Sequence, residues 1–134
     1  PVTVDASVFV NAFSPEEDGS DKSMAFLSQL REDGVPLIQP TLFLPEVAAS
    51  IARKQDDTEA ALELEQELRN FFDLTLVDLD ENLADFASEV AAKHRLRGSD
   101  AVYAAVALRF GTELITLDRE QLERLPKILA VHAP

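Results

Sequence analysis

Two periods of apolar residues run through the chain. Short apolar, β-branched runs at Val2-Thr3-Val4, Val35–Gln39, Leu74–Val77, Glu113–Thr116 and Lys127–Val131 predict five strands. Between them the period changes to that of a helix. Ser7–Phe13 starts a helix that breaks at Ser14-Pro15, and from Asp21 onward Met24, Phe26, Leu27 and Leu30 recur until Asp33-Gly34. Thr41 is placed to cap a third helix, with Pro45 in its first turn and Val47, Ala48 and Ile51 on its apolar face. Ala60, Ala61, Leu64, Leu68, Phe71 and Phe72 form the next stripe. Asp80 then caps a helix in which Leu83, Phe86, Ala87, Val90 and Ala91 share one face. Gly98-Ser99 interrupts, an Ala-rich helix runs over Asp100–Phe110 to Gly111, and Arg119–Arg124 makes a short last helix.

Strands alternating with helices predict an α/β fold: a three-layer α/β/α sandwich around a five-stranded, mainly parallel sheet. The 134 residues fit one domain spanning 1–134, since no repeat, low-complexity tract or linker divides them. The Glu16–Ser20 cluster is turn-like but too short to separate domains.

Composition narrows the chemistry. There is no Cys, and His94 and His132 are the whole histidine complement, so thiol catalysis, Cys-ligated metals and multi-His sites are excluded. No apolar run approaches the roughly 20 residues of a membrane span, and the chain does not open on a basic–apolar leader. A soluble, cytoplasmic protein without membrane contact is the expectation. Twenty-five acids against 12 Lys and Arg give a formal charge of −13, which as a uniform surface would repel phosphate backbones. Placement therefore matters more than number.

In a parallel sheet the ligand site lies beyond the carboxyl ends of the strands. Asp5 follows the first strand at once, and Asp118 follows the fourth within two residues. Glu46 stands in the apolar stretch Leu42–Ile51, and Asp100 opens a helix that is otherwise apolar. Each also has an ordinary structural use: Asp5 and Asp118 as helix caps, Asp100 as a first-turn acid beside a Ser99 cap, Glu46 on a solvated face. Together, four acids converging on one crevice would need a cation. Mg²⁺ suits oxygen ligands at about 2.0–2.1 Å. Two such ions about 3.5–4 Å apart clamp the attacking and leaving oxygens of a phosphodiester displacement.

Val4-Asp5-Ala6-Ser7, Glu46-Val47-Ala48, Ser99-Asp100-Ala101 with Ala104-Ala105, and Thr116-Leu117-Asp118 resemble the PIN domain, and the size and layout resemble its VapC-type toxin ribonucleases. The resemblance implies a Mg²⁺- or Mn²⁺-dependent endoribonuclease. In it Asp5, Glu46 and Asp100 would hold the metal, with Asp118 as a more peripheral fourth acid. Ser7 would support the first Asp, and Thr116 would orient the site. It also implies a small antitoxin with a basic or Arg-containing tail, and a homodimer.

Lys93-His94-Arg95-Leu96-Arg97 directly precedes Ser99-Asp100 and is the candidate phosphate-binding lip, through Lys93, Arg95 and Arg97. The same cations would equally complement a helix C-terminus. Arg53-Lys54 and Arg119 are weaker candidates, and Tyr103 reads as core more readily than as a base-stacking ring. The acidic face of Glu59, Glu63, Glu65 and Glu67 reads as solvated. Phe71-Phe72 and Leu42-Phe43 read as core, with partner contact as the other use.

Two other classes compete. A phosphoacceptor domain wants a second acid beside Asp5, where Ala6 and Ser7 stand. With Asp78 as acceptor it wants a Lys after the fifth strand, where only His132-Ala133-Pro134 follow. A non-catalytic module with the nuclease fold differs from the enzyme only in an assay.

Overall fold

The computed structural model describes residues 1–134. Five parallel strands, β1 (Val2–Val4), β2 (Leu37–Pro40), β3 (Leu74–Val77), β4 (Glu113–Ile115) and β5 (Val131–His132), form one sheet in the order β3-β2-β1-β4-β5. Seven helices connect and cover them: α1 (Ala6–Ala12), α2 (Ser20–Glu32), α3 (Phe43–Gln55), α4 (Thr58–Phe71), α5 (Glu81–His94), α6 (Gly98–Phe110) and α7 (Arg119–Arg124). The α/β layering is the one the alternating periods predict.

The strand order places the site. From β1 the chain steps to β2 and β3 on one side, then crosses to β4 and β5 on the other. The reversal therefore lies between β1 and β4, and beyond their carboxyl ends the connections part and leave a crevice. Helices α1 to α4 pack in sequence through α1–α2, α1–α3 and α3–α4 contacts, while α5 packs on α6 and α6 on β1, β2 and β4. Helix α6 is buried on every side from Ala101 to Ala107, as its lack of a polar face predicts. Its run of alanines brings its backbone close to the sheet, and Phe9, Phe43, Leu68 and Leu114 fill the core around it. Each such fully buried large side chain contributes about 1.5–3 kcal/mol.

β1 pairs with β2 in register only at Val2–Leu37. Past that point polar side chains bridge the two strands. Thr3 Oγ1 donates to Ile38 O at 2.7 Å, and the buried Gln39 amide accepts from Val4 N at 2.6 Å and donates to Val4 O at 2.7 Å. The gap opens immediately before Asp5 without leaving a buried polar group unsatisfied.

Several predicted boundaries move. Thr41 does not cap α3. Its N–H is committed to Val77 O, the capping position is Leu42 without a side-chain bond, and the helix starts at Phe43. Pro45 still falls in the first turn, where no N–H is required. Ser99 is likewise not a cap, because α6 begins at Gly98 behind Arg97, so Gly98-Ser99 continues into the helix. The fifth strand shrinks to Val131–His132, since the N–H groups of Ile128 and Leu129 turn back onto Leu125 O and are lost to the sheet.

Candidate functional site

Asp5 is a helix cap and a strand-end acid at once. It is the N-cap of α1, its Oδ2 accepting from Ser7 N at 2.9 Å, and it lies buried at the carboxyl end of β1. Its own N–H donates to Ile115 O at 2.8 Å, tying it to β4. Asp118 likewise caps α7 through Gln121 N at 2.9 Å while facing the same crevice. Asp100 is buried in the first turn of α6, and Glu46 is half-buried in the first turn of α3. For Asp5 and Asp118, capping and convergence are therefore not alternatives: the cap fixes the backbone that aims the carboxylate.

Ser7 and Thr116 brace the turns that carry two of these acids. Ser7 donates its N–H to Asp5, and its Oγ accepts from Leu117 N at 3.2 Å, tying the turn after β4 to the start of α1. Thr116 Oγ1 accepts from Asp118 N at 3.0 Å and donates to Gln121 Oε1 at 2.5 Å.

The electrostatics are those of acids crowded out of water. Burial pushes the Asp5 carboxyl up, against the Ser7 hydrogen bonds, with the Asp118 charge adding to the rise. Asp100 is raised by burial and then by Asp118, with Arg97 opposing. Glu46 is raised by burial, with Asp5 and Asp100 adding to it and the Tyr103 hydroxyl opposing. Each of these three acids feels at least one other of the four, so they share one field.

Two side chains outside the predicted set touch these acids. Tyr103 is fully buried, consistent with its core reading, yet its hydroxyl donates to Glu46 Oε1 at 2.7 Å. Gln121 is also fully buried. Its amide nitrogen donates to Asp100 O at 3.2 Å and approaches Asp5 Oδ1 at 3.5 Å. One side chain thus spans β1, α6 and α7. Asp118-x-x-Gln121 has the spacing of a capping box, the one signal in the sequence that could have exposed it. Gln39 carries no such signal.

Arg97 departs from the expected lip. Its Nε donates to Asp100 Oδ2 at 2.9 Å and an NH₂ nitrogen to Asp118 Oδ2 at 2.5 Å, so the guanidinium bridges two of the four acids. Lys93 and Arg95 lie instead at the far end of α5, away from these bonds.

A model of the PIN domain family matches residues 2–128. The chain belongs to the PIN domain family. It is 30% identical to ribonuclease VapC3 of Pyrobaculum aerophilum over 96% of this chain and 97% of that one. It is 34% identical to ribonuclease VapC45 of Mycobacterium tuberculosis over 82% of this chain and 76% of that one. Its fold is similar to that of a chain in VapBC2 from Rickettsia felis, solved bound to a promoter DNA fragment, with a TM-score of 0.73 at 14% identity over 99% of this chain and 98% of that one.

The donor set of this PIN domain suits a hard divalent ion, being four carboxylates with no thiolate or imidazole. As the side chains stand, no three of the acids close into a cage around one point. Mg²⁺ does not require one, since it binds through one or two carboxylates and retains waters. The raised carboxyls are the stronger sign, for buried acids that repel one another accept a cation readily. No helix is long and apolar enough to cross a membrane.

Proposed function

We propose that the chain is a divalent-metal-dependent endoribonuclease that hydrolyses RNA phosphodiester bonds, as the toxin of a toxin–antitoxin pair. The observation that carries this reading is the convergence of Asp5, Glu46, Asp100 and Asp118 at the β1/β4 reversal, three of them with carboxyls raised mainly by burial. The ribonuclease names of its relatives point the same way.

Asp5, Asp100 and Glu46 would hold Mg²⁺ or Mn²⁺, with Asp118 at the rim. Such an ion makes water more acidic and offsets charge on a leaving oxygen. The chain's own residues set the stage for that chemistry. Ser7 N–H and the Gln121 amide restrain the Asp5 carboxylate, and Tyr103 OH leaves Glu46 Oε2 as its free oxygen. Thr116 fixes the turn that presents Asp118. Arg97 neutralises Asp100 and Asp118 while no other cation is near, and its exposed side chain is free to turn toward a substrate phosphate.

An antitoxin tail carrying Arg would find in this crevice the charge it complements. Several neighbours in fold are VapBC or toxin–antitoxin complexes. Homodimerisation is proposed with it. Phe71 and Leu62 on α4 are exposed large apolar side chains available to such contacts, whereas Phe43 is core.

The deciding experiment is cleavage of a mixed RNA pool by the wild type and by Asp5→Asn, with and without Mg²⁺. The expected result is wild-type cleavage that vanishes with EDTA and in the variant. Undiminished cleavage by Asp5→Asn overturns the assignment of the site.

A further inference from the structure

The cations that do not turn into the crevice gather in one place. The C-terminal ends of α5 and α7 meet across a cleft of about 430 Å³ lined by Lys93, His94, Arg95, Glu123, Arg124 and Lys127. Four of the chain's 12 Lys and Arg thus face one cleft that holds a single acid, in a protein of charge −13. The Arg124 guanidinium bonds Arg95 O across the cleft and pairs with Glu120 at 3.4 Å. Lys93, Arg95 and Lys127 make no ion pair, although the acids outnumber the bases two to one.

Complementing two helix C-termini accounts for some of this charge. It does not account for Lys127, which lies beyond α7, whereas Arg95, at the left-handed C-cap of α5 with φ 57°, turns its guanidinium back onto Ala92 O of that helix. The cleft also lies one short helix away from the acidic crevice. α7 is capped by Asp118 at one end and carries Arg124 in its last turn, about 9 Å along its axis. Arg97, two residues beyond Arg95, already reaches into the crevice.

We propose that the α5/α7 cleft binds the RNA backbone beyond the bond being cut, its cations taking the phosphates of a strand that leaves the acidic crevice along α7. This rests on the nuclease reading. A strand lying along α7 meets carboxylates and metal at one end and unpaired cations at the other, so the overall charge does not prevent binding.

The test is anisotropy of a fluorescein-labelled, mixed-sequence single-stranded RNA titrated with Asp5→Asn protein in Mg²⁺ across a KCl series. The comparison is the same protein carrying Lys93→Gln and Lys127→Gln, two exposed side chains without hydrogen bonds, and its Lys→Arg counterpart. Each phosphate contact contributes about 0.7 to the slope of log affinity against log salt for a single strand. The Gln variant should therefore have a slope shallower by about 1.4, and the Arg variant should restore it. An unchanged slope in a protein whose wild type cuts RNA overturns the cleft and leaves the nuclease standing. An unchanged slope with lost binding to a poly-Glu peptide overturns it in favour of an acidic protein partner. Failure of the wild type to bind or cut any RNA overturns both.

Discussion

The two ends of α7 hold opposite solutions to the same electrostatic problem. At its N-terminus four carboxylates crowd together, and at its C-terminus four cations do. The acids lie at or near the core, where low dielectric magnifies their repulsion, and burial raises the carboxyls of Asp5, Glu46 and Asp100. The cations stand in water, where screening makes their crowding nearly free. Burial thus turns one cluster into the proposed cation site, its carboxylates held by neutral donors such as Ser7, Tyr103 and Gln121. Exposure leaves the other as a surface whose proposed phosphate contacts would be sensitive to salt.

The contrast breaks most decisively at Asp5. Asp5→Asn should lower RNA cleavage about 10³-fold, several kcal/mol of lost metal-assisted stabilisation, and calorimetry should show weakened Mn²⁺ binding. Tyr103→Phe comes next. It leaves a buried ring in place but removes the donor to Glu46, and about a 10–100-fold loss of metal affinity should follow. Because that hydrogen bond lowers the Glu46 pKa, the acidic limb of the pH–rate profile should move to higher pH in the variant.

Stability should run against activity. In the metal-free protein the raised carboxyls of Asp5, Asp100 and Glu46 bind protons more tightly folded than unfolded. Stability should therefore fall as pH rises from the ordinary carboxylate range through these raised values, and stay flat above them. Asn at position 5 keeps an acceptor for Ser7 N–H and carries no charge, so Asp5→Asn should raise the neutral-pH Tm by about 2–4 °C and flatten that fall. Added Mg²⁺ should stabilise the wild type and not the variant. Thermal melts at several pH values measure all three.

The smallest effect sharpens the exposed side. Arg95→Gly relieves a left-handed residue and should stabilise the fold by up to about 1 kcal/mol while weakening RNA binding. Paired denaturant and anisotropy titrations would show the two moving in opposite directions.

Much of the molecule was legible in the chain. Apolar periodicity predicted all five strands and the helices between them, because burying one face of each element is the dominant demand on composition. Strand ends with acids just beyond them led to Asp5 and Asp118, since the backbone that ends a strand also aims the next side chains. Element boundaries were less legible. Thr41 N–H continues the ladder to Val77 O and α3 starts only behind Leu42, while Ile128 and Leu129 leave β5 for a local turn on Leu125 O.

By itself the sequence determined the layered fold, the lack of thiolates and near-lack of imidazoles, and which acids stand at strand ends and helix starts, because periodicity and residue type are local properties. Tertiary structure alone decided what holds those acids and where the cations go. Gln121 reaches Asp100 across 21 positions, Tyr103 reaches Glu46 across 57, and Lys127 joins Lys93 only because α5 and α7 end side by side. Contacts at such separations leave no periodic trace. They exist because closing the sheet and its helices around one core brings distant residues within hydrogen-bonding reach.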